Sequence, residues 1–292
     1  MLAFLGPGYL FMKRYLQSRE EIENLLADGS LWFGVNSSPP PLPSPSEKAT
    51  HGTPGIFGIP EIDFSLGEVG LPFGAVHEWF LQYFFSSPSA STSSWYPPLT
   101  IIASVVKNTH RSLQQGPQQN SSLVWVGKKC WPTAQLLGGD NSSLSKHSLF
   151  LDPLNDEQRL WTIIQALRSP AISTVIADGS GFNITATRRL QLAARDGDTL
   201  GLILRPPHEM RCLSGAMSRW EVAAVPSPTI WPRWSLKLLR YKGMQPQVSA
   251  FRSWIIEYSQ EFGDEESSFR IPADVVYRSQ AEETEQKIAL SR

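Results

Sequence analysis

Between Ala75 and Leu204, short apolar runs alternate with longer amphipathic stretches, and few folds accept such a pattern. Ala75–Phe80, Leu123–Val126, Ser173–Ala177 and Thr199–Leu204 read as strands, Leu123–Val126 as a buried one, and Leu149–Leu151 reads as a brief strand. Leu99–Arg111 separates the first two and places Ile101, Ile102, Val105 and Val106 on one helical face. Pro132–Leu137 starts a short helix. Asn155–Ser169 is a longer one, with Leu160, Ile163, Ile164 and Leu167 in a stripe. Asn183 caps a helix reaching Arg195, with Ile184, Leu190, Ala193 and Ala194 toward a sheet. Strand–helix alternation of this kind predicts an α/β fold, a mostly parallel sheet with helices on both faces. After it, Arg219–Val225, Trp234–Arg240 and Ser253–Tyr258 read as strands joined by shorter turns, so the later strands are expected to run antiparallel. Trp79, Trp125, Trp161, Trp220 and Trp234 fall on these elements and read as packing residues.

Length and punctuation divide the chain. Its 292 residues suit one large domain with appendages. Ser18-Arg19-Glu20-Glu21 has the form of a capping box, so 1–35 is expected to hold a helix followed by a Leu31-Trp32-Phe33 anchor. Residues 36–55 are rich in Ser, Pro and Gly and read as a linker. The core is expected over 56–261, and 262–292 as an acidic, flexible tail that is either a plain solvated terminus, a shield for a basic groove or a segment that binds a protein partner. The net charge of −1 excludes a whole-surface field for nucleic acid and leaves only a local basic patch. Cys130 and Cys212 fit no zinc or redox spacing, and the five histidines fit no ligand pattern. No metal, cofactor or catalytic group is assigned. The apolar N-terminus carries its positive charges after the apolar part, opposite to a secretion signal, and no run spans a membrane. A cytoplasmic location is expected.

The first strand has a distinctive approach, Gly55-Ile56-Phe57-Gly58-Ile59-Pro60-Glu61-Ile62-Asp63, then Leu66-Gly67-Glu68-Val69-Gly70-Leu71-Pro72-Phe73-Gly74. It resembles the entry to RecA-type ATPase cores, where the strand delivers a phosphate-binding loop. Here the strand leads instead into a Ser- and Pro-rich stretch, 86–98, with no Gly-x-x-x-x-Gly-Lys-[Ser/Thr] pattern. A phosphate cradle needs converging backbone N–H groups, a lysine and a hydroxyl for Mg²⁺; prolines remove donors and no lysine is present. The resemblance therefore implies a RecA-like P-loop-NTPase-type core with a degenerate phosphate loop. Thr174-Val175-Ile176-Ala177-Asp178 has the form of a Walker B strand, and Asp178 is either a weak metal-facing candidate or the start of an ordinary Asp-Gly-Ser turn. After the second strand, where a RecA-type ATPase carries a glutamate, the chain reads Gly127-Lys128-Lys129. A pseudo-ATPase is expected rather than an enzyme.

A second resemblance rests on the later half. Thr185-Ala186-Thr187-Arg188-Arg189-Leu190-Gln191-Leu192-Ala193-Ala194, Leu200-Gly201-Leu202-Ile203-Leu204-Arg205-Pro206, Ser218-Arg219-Trp220-Glu221-Val222 and Arg233-Trp234-Ser235-Leu236-Lys237-Leu238-Leu239-Arg240-Tyr241-Lys242-Gly243 follow one another. This succession resembles the ImuA family, RecA-like and SulA-related proteins associated with damage-induced translesion DNA synthesis. The likeness covers roughly 30–260. It implies a non-catalytic accessory role in the SOS response, as an adaptor for an ImuB-like Y-family polymerase homologue, an error-prone polymerase and RecA. The alternatives are a degenerate but working ATPase and a SulA-like inhibitor of cell division.

In a RecA core the loop after the fifth strand contacts DNA, so Arg205 and Arg211 are candidates for phosphate contacts to single-stranded DNA; the bland reading is an ordinary loop with solvated arginines. Arg188 and Arg189 either bridge core groups or join that contact. Trp95 and Trp131 lie beside loops and are candidate exposed anchors for a protein partner.

Overall fold

A computed structural model describes residues 57–66, 70–82, 95–114, 122–138, 142–242, 253–259 and 268–272. The chain divides into two units, Met1–Thr50 and His51–Arg292, and every described residue belongs to the second. The expected N-terminal helix, its Trp32 anchor and the linker lie outside the described residues.

The structure is α/β, and the described residues form nine strands in one mixed sheet. They are β1 (Ala75–Gln82), β2 (Ser122–Val126), β3 (Ser148–Leu151), β4 (Ile172–Asp178), β5 (Leu200–Arg205), β6 (Ser218–Val225), β7 (Arg233–Tyr241), β8 (Ser253–Ser259) and β9 (Ser268–Arg270). Their spatial order is β3-β2-β4-β5-β1-β6-β7-β8-β9. The first six strands pair in parallel. β7, β8 and β9 then continue the sheet antiparallel.

Alternation along the strands divides the core into two layers. Trp79, Trp125, Ile176, Leu202, Trp220, Leu236 and Trp254 share one face with α2 (Leu99–Gln114), whose Ile101, Ile102, Val105 and Val106 are buried. On this face Trp79 and Trp220 stack with ring centroids 5.4 Å apart, and Phe57 closes against both. The short helix α1 (Pro60–Ser65) buries Ile62, and its Asp63 carboxylate accepts the N–H groups of Phe57 and Gly58. A four-residue helix, α3 (Ser143–Lys146), precedes β3 and adds Leu144 to this layer. Val76, Val124, Val126, Val175, Ala177 and Ile203 face the other way, toward α4 (Asp156–Arg168) and α5 (Ile184–Gly197).

The helix starts are set locally. Asn155 Oδ1 accepts the N–H of Gln158, and Asn183 Oδ1 accepts that of Ala186, each relieving an orphan donor of the first turn. α5 ends where Asp198 adopts a left-handed conformation. The arginine-rich block on α5 also anchors the sheet. Gln191 accepts the N–H of Val76 and donates to the carbonyl of Gly74, pinning the start of β1.

Three expectations are corrected. Residues 134–138 form turns, not the start of a helix, and Pro132 before them belongs to no helix or strand. Trp161 is 55% exposed rather than packed, because the buried stripe of α4 runs through Ile163, Ile164 and Leu167 and leaves it outside. Ser268–Arg270 lies within the stretch read as a flexible tail, yet it pairs with β8. There Arg270 and Arg233 both donate to the buried Glu257, which ties the strand down.

Candidate partner and nucleic-acid interface

In a parallel sheet the carboxyl ends of the strands form the natural crevice for a ligand. Here the ends of β4 and β5 are filled by the protein's own polar groups. Asp178, at the end of β4, is 5% exposed. Its Oδ1 accepts the N–H of Ser180, and its Oδ2 lies 3.7 Å from Nη1 of Arg159. Arg159 also donates to the carbonyl of Ser180 and lies over the ring of Phe182. The carboxylate thus closes an Asp-Gly-Ser turn and an ion pair.

Arg205 ends β5 and is only 1% exposed. Its guanidinium donates to Glu209 Oε2, to Glu78 Oε1 and to the carbonyl of Phe182. Burial opposes its charge, but Glu78 and Glu209 outweigh that and hold the group above its ordinary range. Glu78 serves two arginines, since its Oε2 accepts Nε of Arg219 at 2.8 Å, while Oε1 also accepts Ser214 Oγ at 2.6 Å. Glu209 in turn accepts the N–H of Gly181. The phosphate contact expected of Arg205 is therefore replaced by a buried ionic cluster that joins β1, β5 and β6 to the β4–α5 and β5–β6 loops.

The loop from β5 to β6 begins with a 3-10 turn (Pro207–Arg211) and is fastened along its length. Arg219 donates to the carbonyl of Met210, and Arg240 Nη2 to those of Ser214 and Ala216. Lys242 donates to the carbonyl of Gly215. Arg211, Arg188 and Arg189 are exposed, Arg211 on this loop and the other two on α5. Arg188 lies close enough to Lys242 for the two charges to repel.

The anchors expected for a protein partner behave differently from each other. Trp95 is buried in the core, with the Lys129 ammonium 5.2 Å from its ring centre. Trp131 is half-buried and meets Phe150 edge-on at 5.5 Å. Phe150 belongs to β3, which among the described residues is the outermost strand on its side of the sheet. Leu149, Phe150 and Leu151 are all exposed there, followed by Leu154 at 70%. Leu149 and Leu151 pair with Val124 and Val126, so they share the face covered by α4, which carries Trp161. An unpaired strand edge bearing apolar side chains is a template for another chain.

The chain is similar to Protein ImuA. Two curated relatives of that name, from two strains of Caulobacter vibrioides, are each 26% identical over 235 residues, which is 74% of this chain and 87% of the relative. No family model matches the chain. The likeness to Protein ImuA agrees with the resemblance carried by the arginine-rich succession.

The sequence alone points to neither the β3 edge nor the roles of Glu78 and Glu209, and Arg240 and Lys242 stand in the arginine-rich succession without an assigned contact. For Trp161 the signal was present, since it lies one position off the stripe of Leu160, Ile163, Ile164 and Leu167. For Glu78, an acid inside an otherwise apolar strand implies a buried cationic partner. Among the described residues, no group of three or more His, Cys, Asp or Glu is placed to hold a metal ion, and no helix is long and apolar enough to cross a membrane.

Proposed function

We propose that this chain is an ImuA-like, non-catalytic accessory protein of SOS-induced translesion DNA synthesis, built on a RecA-type core that serves as an adaptor. Its main partner is an ImuB-like homologue of Y-family polymerases, with an error-prone polymerase and RecA as further members of the assembly. The observation that carries the adaptor reading is the open edge of β3. Leu149, Phe150 and Leu151 are exposed on a strand that, among the described residues, has no pairing partner on one side, and such an edge accepts an added strand with apolar side chains. The strand order and antiparallel closure support the RecA-type core. The engagement of Asp178 by Ser180 and Arg159 supports the non-catalytic reading, because Mg²⁺ binding would have to break both contacts. The likeness to Protein ImuA supports the assignment of the pathway.

The test is co-purification of the full chain with an ImuB-like protein, comparing wild type with Leu149→Ser combined with Leu151→Ser. The double variant keeps the native circular dichroism spectrum and loses capture by about tenfold or more, as expected when apolar anchors are removed from an interface. Undiminished capture by the folded variant would remove the edge from the reading, and failure of the wild type to bind would overturn the adaptor role itself.

A further inference from the structure

Three cations from different parts of the chain meet beside the turn at Gly215. Arg188 comes from the second turn of α5, Arg240 from the end of β7, and Lys242 follows that strand. Among the described residues none of the three forms a salt bridge. Arg240 and Lys242 direct donors to the carbonyls of Ser214, Gly215 and Ala216, and Arg240 Nε is buried without a hydrogen-bond partner. The nearby carboxylate, Glu78, is fully buried and already serves Arg205 and Arg219. The cluster therefore carries unbalanced positive charge. Burial first, then the charges of Arg240 and Arg188, hold the Lys242 ammonium below its ordinary range, and Arg240 is lowered by burial and by Arg219.

Like charges placed together are stabilised by an anion, and the backbone around them says which kind. A terminal phosphate is cradled by converging N–H groups. Here those donors are spent within the protein: Gly215 N–H goes to Thr187 Oγ1, Ala216 N–H to Ser214 Oγ, and Met217 N–H to the carbonyl of Val76. What the surface offers outward is cationic side chains, with Arg188 and Lys242 exposed. Side-chain cations without an amide cradle suit the repeating phosphodiesters of a nucleic-acid strand better than a nucleotide's phosphates.

We propose that Arg188, Arg240 and Lys242 form a binding site for the phosphodiester backbone of a nucleic-acid strand. The site deepens the accessory role proposed above but depends on different residues from those of the β3 edge. Arg189 and Arg211, although exposed, do not enter the electrostatic cluster around Lys242, so they are expected to matter less.

The experiment is fluorescence anisotropy of a labelled oligodeoxythymidylate with the full chain, over a series of salt concentrations. Wild type binds with an affinity that falls steeply with salt. Arg188→Gln and Lys242→Gln each weaken binding and lower the slope of log affinity against log salt by about 1. Arg168→Gln, which removes a cation paired with Asp196 on another helix, leaves both unchanged. Inorganic phosphate at equal ionic strength competes no better than chloride. Absence of wild-type binding, or variants with an unaltered slope, would overturn the site, and so would specific displacement by inorganic phosphate. Capture of the ImuB-like protein by Arg188→Gln is expected at the wild-type level, so failure of this site and failure of the adaptor reading are read separately.

Discussion

Arg205 Nη1 donates to Glu78 Oε1 across 2.8 Å in the interior of the sheet, where both side chains are essentially inaccessible to water. The two residues lie on adjacent parallel strands, and Glu78 also holds Arg219. Removing the carboxylate leaves two buried guanidinium groups without their shared partner. Glu78→Ala is therefore expected to destabilise the protein by about 3–5 kcal/mol, the range for breaking a buried ion pair from one side. Denaturant unfolding measures this directly, and a loss below about 1 kcal/mol would show that the cluster relaxes without it.

That pair also marks where the sequence stops being legible. The helices beginning at Asn155 and Asn183, and the buried strands between them, follow from periodicity and capping, which are local. Arg205 looked like a loop cation because its partner Glu78 is 127 residues away. Nothing near either residue announces the other. Trp95 was misread for a related reason: a tryptophan flanked by Ser and Pro gives no periodicity from which burial can be inferred. The β3 edge was hidden because strand order is a tertiary property, and a three-residue apolar run reads the same in the middle of a sheet as at its border. β9 escaped notice because three residues are too few to carry an alternation.

Asp178 offers a test between a structural and a catalytic carboxylate. Asp178→Ala removes the acceptor of the Ser180 N–H and the ion-pair partner of Arg159 in a nearly water-free place. The expected outcome is a stability loss of about 1–3 kcal/mol, the penalty for buried donors left unmatched. Wild-type protein is expected to release phosphate from ATP no faster than a buffer control. Turnover that is present in wild type and absent in the variant would restore the ATPase reading.

The buried His77 predicts a dependence on acid. Its Nε2 faces the carbonyl of Pro72 at 3.1 Å, so that nitrogen carries the proton, and Nδ1 at 2.7 Å accepts from Ser218 Oγ. The neutral ring is fully matched, and burial holds its pKa at about 4, against an ordinary value of 6.5. Above 6.5 the ring is neutral folded or unfolded, and its contribution to stability is complete. As pH falls toward about 4 the unfolded chain takes up a proton that the folded protein refuses. Stability is then lost at up to about 1.4 kcal/mol per pH unit for this group. His110 is also held at about 4, by burial and then by the neighbouring His147, and adds a second contribution of the same sign. Urea unfolding between pH 7.5 and 4.5 measures the slope, which His77→Gln should reduce by about one proton. An unchanged slope in that variant would assign the acid sensitivity elsewhere.

Gly215 sets the distance between the β5–β6 loop and α5. A Cβ there would lie 2.8 Å from both N and Cα of Arg188, and 2.9 Å from the carbonyl carbon of Thr187. These are backbone atoms of a helix, so no side-chain rotation relieves the contact. The Gly215 N–H bond to Thr187 Oγ1 holds the loop at the same place and resists its withdrawal. Gly215→Ala is thus expected to cost about 1–3 kcal/mol, as overpacking does in a close-packed interior. Arg188 sits on the helix side of this contact and Lys242 bonds to the loop side, at the Gly215 carbonyl. Any separation therefore moves the two cations apart, and oligonucleotide affinity is expected to fall under conditions where the variant remains folded. Urea unfolding and anisotropy on the same preparation measure both effects; an unchanged unfolding midpoint would mean that the helix and loop separate without cost.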